Sequence, residues 1–358
     1  MSNKLVYELN VVVTACNNGK DIRRCLNSIV RQWKEDENDF HLTIAYDDGS
    51  KDNTLDICKQ YRDRYGRFIE LIILPHCYVG QMRNMIAKDT IESYITFVDG
   101  DDFLPENAIK NILKVIKETH SDTIIGKLRT NFPGGKSKIF PPFKTSKDGK
   151  SVICETFAHP VVFKTDVYNT KLYCRPDVKT HEDRVSGYLL PKLASVYVID
   201  EVIYDYGIAL GSMVRNKTGR IPMFNDLIVV WEELKKEKHR FTDGEWELIK
   251  EDLEWSMISP MFFLQCVDKE NRLSQKMRMY NYLTMEFSGW KDNETLRQIR
   301  NSNYIVRQYV DMLLYNPSEK EFLKFTSGYK MKIVGLGTEI YSVGGIRGWI
   351  VSKLLGRT

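Results

Sequence analysis

The sequence predicts an α/β fold: a mostly parallel sheet with helices, followed by a helical C-terminal region. Three observations predict it. Over residues 1–126, apolar β-branched runs alternate with amphipathic stretches, the pattern of strands joined by helical crossovers. Polar clusters rich in Asp, Asn and Gly close several of the strand-like runs. After Pro222 the strand signals give way to helical periodicity.

The elements follow in order. Leu9–Val13 reads as a strand running into the turn Thr14–Gly19, and Ile22, Cys25, Leu26, Ile29, Val30 and Trp33 then recur at helical spacing. Phe40–Tyr46 is a second strand ending at Asp47-Asp48-Gly49-Ser50, with a helix after it through Leu55, Ile57, Cys58 and Tyr61. Ile69–Leu74 is a third strand closed by Pro75, and Gly80 opens the next helix. Tyr94–Val98 is a fourth strand running into Asp99-Gly100-Asp101-Asp102, and Pro105 suits the first turn of the helix that follows. Ser121–Gly126 is a fifth strand. Lys127–Lys150 reads as a basic loop or irregular hairpin, Thr156–Lys192 as short mixed elements, and Val196–Tyr206 as one or two strands. Met223–Leu234, Glu245–Cys266, Leu273–Phe287 and Leu296–Tyr315 carry helical periodicity. Ile340–Leu355 reads as an amphipathic helix with Ile346, Trp349, Ile350 and Leu354 on one side, suited to a membrane surface or to docking on the helical region.

Composition bounds the function. The 358 residues suit about two domains. Hydrophobic residues at 42% and charged residues at 28% exclude a disordered chain. Fifty-two basic against 48 acidic residues leave a net charge of +4, too small to point to nucleic acid. The start lacks the charged and apolar regions of a signal peptide, and no window reaches the length of a membrane span. Seven scattered cysteines without a C-x-x-C pair read as reduced thiols of a cytoplasmic protein.

Ligands of open α/β sheets bind beyond the carboxyl ends of the strands. Thr14–Asn17, Asp47–Ser50 and Asp99–Asp102 all fall there. Carboxylates at adjoining strand ends suit a hard divalent cation, which would let an anionic diphosphate sit among them.

The run Val11-Val12-Val13-Thr14-Ala15-Cys16-Asn17-Asn18, then Asp47-Asp48-Gly49-Ser50-Lys51-Asp52-Asn53-Thr54, Gly80 to Arg83-Asn84, and Phe97-Val98-Asp99-Gly100-Asp101-Asp102 resembles the family-two inverting glycosyltransferases of the GT-A fold. The resemblance spans roughly the first 210 residues. It implies a nucleotide-sugar-binding domain in which Thr14, Ala15, Cys16, Asn17 and Asp48 hold the base. Gly80 and Arg83 would face the nucleotide and diphosphate. Asp99 would serve both donor and metal, forming with Asp101 the D-x-D pair for Mn²⁺ or Mg²⁺. Thr180-His181-Glu182-Asp183 resembles the Glu-Asp motif that opens a helix in this family, which makes Asp183 the general base.

Further segments, Asp122–Lys127, Val162–Lys164, Thr180–Arg184 and Tyr204–Gly219, resemble wall teichoic acid glycosyltransferases of Gram-positive bacteria. That likeness implies a UDP-sugar donor (UDP-N-acetylglucosamine, UDP-glucose or UDP-galactose) and an envelope-polymer acceptor. Capsule and exopolysaccharide transferases share such segments and are the alternative. A non-catalytic sugar-nucleotide-binding scaffold is the rival of a different class. Glu182, Asp102, Ser212, Arg215 and Lys217 are candidate diphosphate or acceptor contacts, and Lys127, Arg129, Lys136, Lys138 and Lys144 a basic stretch beside the acceptor cleft. The expected layout is a catalytic domain over 1–220, with a nucleotide-sugar half 1–126 and an acceptor half 127–220. A helical region over 221–330 would bind acceptor or self-associate, and a tail covers 331–358. The expected location is cytoplasmic, with the tail touching the inner face of the membrane.

Overall fold

The computed structural model describes residues 7–34, 39–131, 137–154, 158–207, 220–266, 269–301, 304–315, 321–322, 329–334, 337–342 and 347–350. The chain divides into two compact units, Met1–Ala209 and Leu210–Thr358.

The first unit is built on an eight-stranded sheet. Its strands are β1 (Leu9–Ala15), β2 (Phe40–Asp47), β3 (Ile69–Leu74), β4 (Tyr94–Asp99), β5 (Thr123–Asn131), β6 (Ser137–Phe140), β9 (Val161–Lys164) and β10 (Val196–Tyr206). A small separate pair, β7 (Lys144–Thr145) and β8 (Val152–Ile153), falls between β6 and β9 in the chain. The strand order is β10-β5-β9-β4-β1-β2-β3, with β6 paired to β5. The β4-β1-β2-β3 half and the β10–β5 pair are parallel, whereas β9 runs antiparallel to both β4 and β5. The fifth strand thus extends beyond Gly126 to Asn131, because β6 turns back on its second half. Val196–Tyr206 is one strand, with register irregularities between Val198 and Tyr204.

Every residue of β1 and β2 is buried, as expected of strands covered on both faces. Alternation then sends neighbours to opposite layers. Val11 and Val13 pack in one core with α1 (Ile22–Val30), α2 (Thr54–Tyr65) and α4 (Ala108–Thr119). Val12, Phe97 and Ile125 pack in the other with α3 (Val79–Asp89), α5 (Thr165–Lys171) and α6 (Arg184–Leu193).

The second unit carries α7 (Arg220–Lys236), α8 (Asp243–Ile258), α9 (Lys269–Glu286), α10 (Glu294–Arg300) and α11 (Tyr304–Leu314), with a 3-10 turn over Ser259–Cys266. A reciprocal cap starts α8: the Thr242 amide donates to Glu245 Oε2 at 2.9 Å and the Glu245 amide to Thr242 Oγ1 at 3.3 Å. One expectation fails here. The described residues of Ile340–Leu355 are strand and not helix: β11 (Tyr329–Val334), β12 (Gly337–Ser342) and β13 (Arg347–Ile350) form an antiparallel three-stranded sheet. Gly337, Gly344, Gly345 and Gly348 disfavour a helix, and Thr338, Ile340 and Tyr341 favour a strand. Among the described residues, no helix is long and apolar enough to cross a membrane.

Candidate active site

Three neighbouring strands end together. In the β1–β4 ladder Thr14 stands opposite Asp99, and in the β1–β2 ladder Ala15 stands opposite Tyr46. The loops beyond these ends are laced to one another. The Asn17 amide donates to Ser50 Oγ at 2.7 Å, the Lys51 amide to Asn17 Oδ1 at 2.8 Å, and the Asn18 amide to Thr54 Oγ1 at 2.8 Å. Asn17 takes a left-handed backbone, φ 53°, which asparagine tolerates better than most residues. The Asp48 side chain is exposed at this edge. Its neighbour Asp47 is buried and structural, accepting from the Gly49 amide at 2.8 Å and bonded to His76 Nδ1 at 2.8 Å. Cys16 is half-buried, and burial together with Asp47 raises its thiol pKa, so it is no activated nucleophile.

Asp99 is the hub. Its Oδ1 accepts from Thr14 Oγ1 at 2.8 Å and from Arg83 Nη2 at 2.7 Å. Arg83 is 1% exposed, and its Nη1 donates to Glu182 Oε1 at 2.6 Å. The guanidinium therefore bridges two carboxylates from elements far apart in sequence. Gly80 makes this possible: a Cβ there would lie 2.9 Å from the Glu182 side chain and 3.0 Å from the Arg175 carbonyl. Gly80 and Arg83, expected to face the donor directly, are both buried, with Gly80 acting through the close approach of α3 to residues 174–182.

The carboxylates differ in charge state. Burial alone would raise Asp99, but Arg83 and His159 outweigh it and hold the group well below the usual range. Burial and the neighbouring Asp99 push Asp101 up to about 6. Burial and then Asp183 push Glu182 up to about 7, with Arg83 opposing. At Asp183, burial is outweighed by Arg83, His159, Arg184 and His181, so this carboxylate stays ionised at neutral pH. Asp183 stands at the N-cap of α6 and makes no capping hydrogen bond; its Oδ2 accepts from the Ala158 amide at 3.4 Å. His181, two residues earlier, has φ 60°.

Two residues of this cluster were missed by the sequence reading. His159 Nε2 lies 3.3 Å from Asp99 Oδ2, and Tyr204 stacks on the His159 ring at 4.7 Å between centroids. The β4–β9 register extended past Thr96–Val162 sets residue 159 opposite residue 99. That signal lies in strand pairing and in no local motif.

Asp99, Asp102 and His159 gather ligand atoms within 4.8 Å of one another. Asp102, however, is 1% exposed and has both oxygens committed, to the Tyr204 hydroxyl and the Gly207 amide, each at 2.6 Å. It is neither an open ligand nor the diphosphate or acceptor contact expected of it. Glu182, expected in the same role, is likewise buried on Arg83. With the neighbouring Asp101, the remaining Asp99 and His159 would suit a divalent cation such as Mn²⁺ or Mg²⁺ in two respects: a positive charge would relieve the repulsion that raises Asp101, and the buried Nδ1 of His159 has no hydrogen-bond partner among the described residues. Ser212, Arg215, Lys217 and Lys136 lie outside the described residues. In the basic stretch, Arg129 is locked onto buried Asp205 at 2.5 and 2.7 Å, and Lys127 pairs with Asp200 at 2.7 Å.

Residues 10–161 match the family described as glycosyl transferase family 2. The chain carries a glycosyltransferase family 2 domain. Its relatives point the same way: a poly(ribitol-phosphate) beta-glucosyltransferase of Bacillus spizizenii is 30% identical over 210 residues, 56% of this chain and 32% of that protein. A poly(ribitol-phosphate) beta-N-acetylglucosaminyltransferase, TarS of Staphylococcus aureus, is 25% identical over 189 residues, 50% of this chain and 32% of TarS. The chain thus spans about a third of the length of these curated relatives. Among solved structures, residues 1–349 of S. aureus TarS superpose with a TM-score of 0.53 at 17% identity, covering 96% of this chain and 98% of that one. The same TarS fragment in complex with UDP-GlcNAc gives 0.51 at 16% identity, covering 96% and 99%. The GT-A-like fold of the chain is thereby established.

Proposed function

We propose that this chain is an inverting glycosyltransferase that moves a hexose or N-acetylhexosamine from a UDP-sugar to a hydroxyl of a cell-envelope polymer of the poly(ribitol phosphate) type. The observation that carries the proposal is Asp183: a carboxylate kept ionised by Arg83, His159, Arg184 and His181 beside the Asp99–Arg83–Glu182 cluster at the strand ends.

Asp183 accepts the proton of the acceptor hydroxyl as its oxygen attacks the anomeric carbon. The new C–O bond forms on the face opposite the leaving group, and the electron pair of the broken bond departs with the diphosphate. Thr14, Ala15, Cys16, Asn17 and Asp48 line the base end of the donor site. Arg83 acts from below by fixing Asp99 and Glu182. A divalent cation held by Asp99, Asp101 and His159 would offset the charge that develops on the leaving diphosphate.

Asp183→Ala is expected to lower transfer by at least about a thousandfold while UDP binding in Mn²⁺ stays within threefold of the parent. A panel of UDP-sugars, tested on poly(ribitol phosphate) with product analysis, measures this; near-parental turnover of the variant removes Asp183 as base. The internal pairing of Lys127 and Arg129 favours a second reading, an uncharged exopolysaccharide acceptor, because it leaves fewer cations for a polyanion. The relatives' poly(ribitol-phosphate) acceptors keep the first reading ahead. The proposed location is the cytoplasm. Self-association through 221–330 and contact of the tail with the membrane's inner face are separate proposals, tested by sedimentation and by vesicle flotation.

A further inference from the structure

Four residues that the proposed chemistry does not use converge behind the D-x-D turn. The Tyr204 hydroxyl donates to Asp102 Oδ2 at 2.6 Å and accepts from the Asp99 amide at 3.2 Å. The other Asp102 oxygen accepts from the Gly207 amide at 2.6 Å. The Tyr204 ring lies against His159 at 4.7 Å with 18° between planes. Tyr204 is 2% and Asp102 1% exposed. The approach is tight as well, since a Cβ on Gly207 would overlap the Asp101 carbonyl. That carbonyl also accepts from Arg24 Nη2 at 2.7 Å.

Beside this contact, Phe103 and Asp205 form an isolated antiparallel bridge, with the Phe103 amide to the Asp205 carbonyl at 3.1 Å and the reverse bond at 2.9 Å. The Asp205 side chain is held by Arg129 and by Asn131 Nδ2 at 2.8 Å. The end of β10 is therefore stitched to the turn after β4 by main chain and side chain together.

We infer that Tyr204, through Asp102, is a positioning residue that latches the Asp99–Asp102 turn to the end of β10 and sets the orientation of Asp99 and His159 at once. One phenol reaches the three groups that matter: the backbone of Asp99, the carboxylate that ends the turn, and the flat face of the imidazole. A turn rich in like-charged carboxylates repels itself, and a buried two-sided carboxylate bonded to two fixed donors restrains it. Tyr204 is buried behind the turn, so its effect on transfer runs through Asp99, Asp101 and His159. The catalytic part of this inference rests on the glycosyltransferase reading above; the latch itself does not.

The test compares the full chain with Tyr204→Phe, which keeps the ring on His159 and removes the hydroxyl, and Asp102→Asn, which keeps the shape but turns one accepting oxygen into an NH2 donor. Amide hydrogen exchange is followed at Asp99 and at Gly207, with thermal unfolding to confirm that each variant is folded. Tyr204→Phe is expected to speed exchange about tenfold or more at both sites, the Gly207 amide being bonded to Asp102, and Asp102→Asn is expected to act in the same direction. Unchanged exchange at Gly207 in Tyr204→Phe overturns the latch. With UDP-sugar and Mn²⁺, kcat of Tyr204→Phe is expected to fall about ten- to a hundredfold, with the donor KM within threefold. Parental kcat alongside faster exchange overturns the positioning role. If the parent chain transfers no sugar at all, the functional reading fails while the exchange measurement still decides the latch.

Discussion

Asp101 and His159 show how single residues divide the work of this site. Asp101 follows a strand end whose last residue, Asp99, is already occupied by Thr14 and Arg83, and repulsion from Asp99 together with burial lifts its carboxyl. A cation would relieve that repulsion, so replacing this carboxylate tests the proposed metal site. Asp101→Asn is expected to weaken Mn²⁺-dependent UDP binding by about ten- to a hundredfold and to leave metal-free UDP binding nearly unchanged; calorimetric titration with and without Mn²⁺ reads both. His159→Ala is expected to act in the same direction. Equal affinity in the presence and absence of Mn²⁺ in the parent chain removes the metal assignment.

The alternating strands and helices of the first 126 residues were legible because β1, β2 and β4 are continuous apolar runs closed by polar turns. Thr14 and Asp99 stood out as polar residues at strand ends, whereas Asp183 was singled out only by the family resemblance of Thr180–Asp183. His159 was not, since β9 is a four-residue strand running against its neighbours and nothing local distinguishes His159 from a loop histidine. The C-terminal sheet was misread because Ile346, Trp349 and Ile350 also fit helical spacing, and Gly344, Gly345 and Gly348 around them outweigh that pattern. Element α9 carries a further prediction. Lys276 is fully buried, its Nζ donates to the Tyr315 carbonyl at 2.8 Å, and Tyr280 and Phe322 flank it at 5.9 and 5.2 Å. Burial and Lys291 lower its pKa to about 8, against about 10.4 in an unfolded chain. Between these values the unfolded state binds more protons, so stability of the second unit rises with pH over that window. Urea unfolding followed by tryptophan emission suits the purpose, because Trp231, Trp246, Trp255, Trp290 and Trp349 fall in this unit and only Trp33 in the first. The midpoint is expected to increase from pH 8 to 10 in the parent and to stay flat in Lys276→Met.

At the scale of the molecule, a net charge of +4 conceals how its charges are spent. Carboxylates gather at the strand ends, while Arg83, Arg129 and Lys127 are each bound to acidic partners within the first unit. A polyanionic acceptor would therefore find these three cations already engaged. Its KM is expected to rise less than about threefold between roughly 50 and 200 mM salt, a weak response for a highly charged ligand; a tenfold rise would show that other basic residues grip the polymer. The antiparallel insertion of β9 has a consequence for how this chain tolerates change in length. The Lys144–Ile153 hairpin lies outside the eight-stranded sheet, so residues gained or lost between its strands alter only the path between two fixed anchors. Inside Pro160–Lys164 the ladder acts as a ruler. One residue added there would carry the imidazole of His159 to the opposite face of the sheet, and the site would lose a member without any substitution in it.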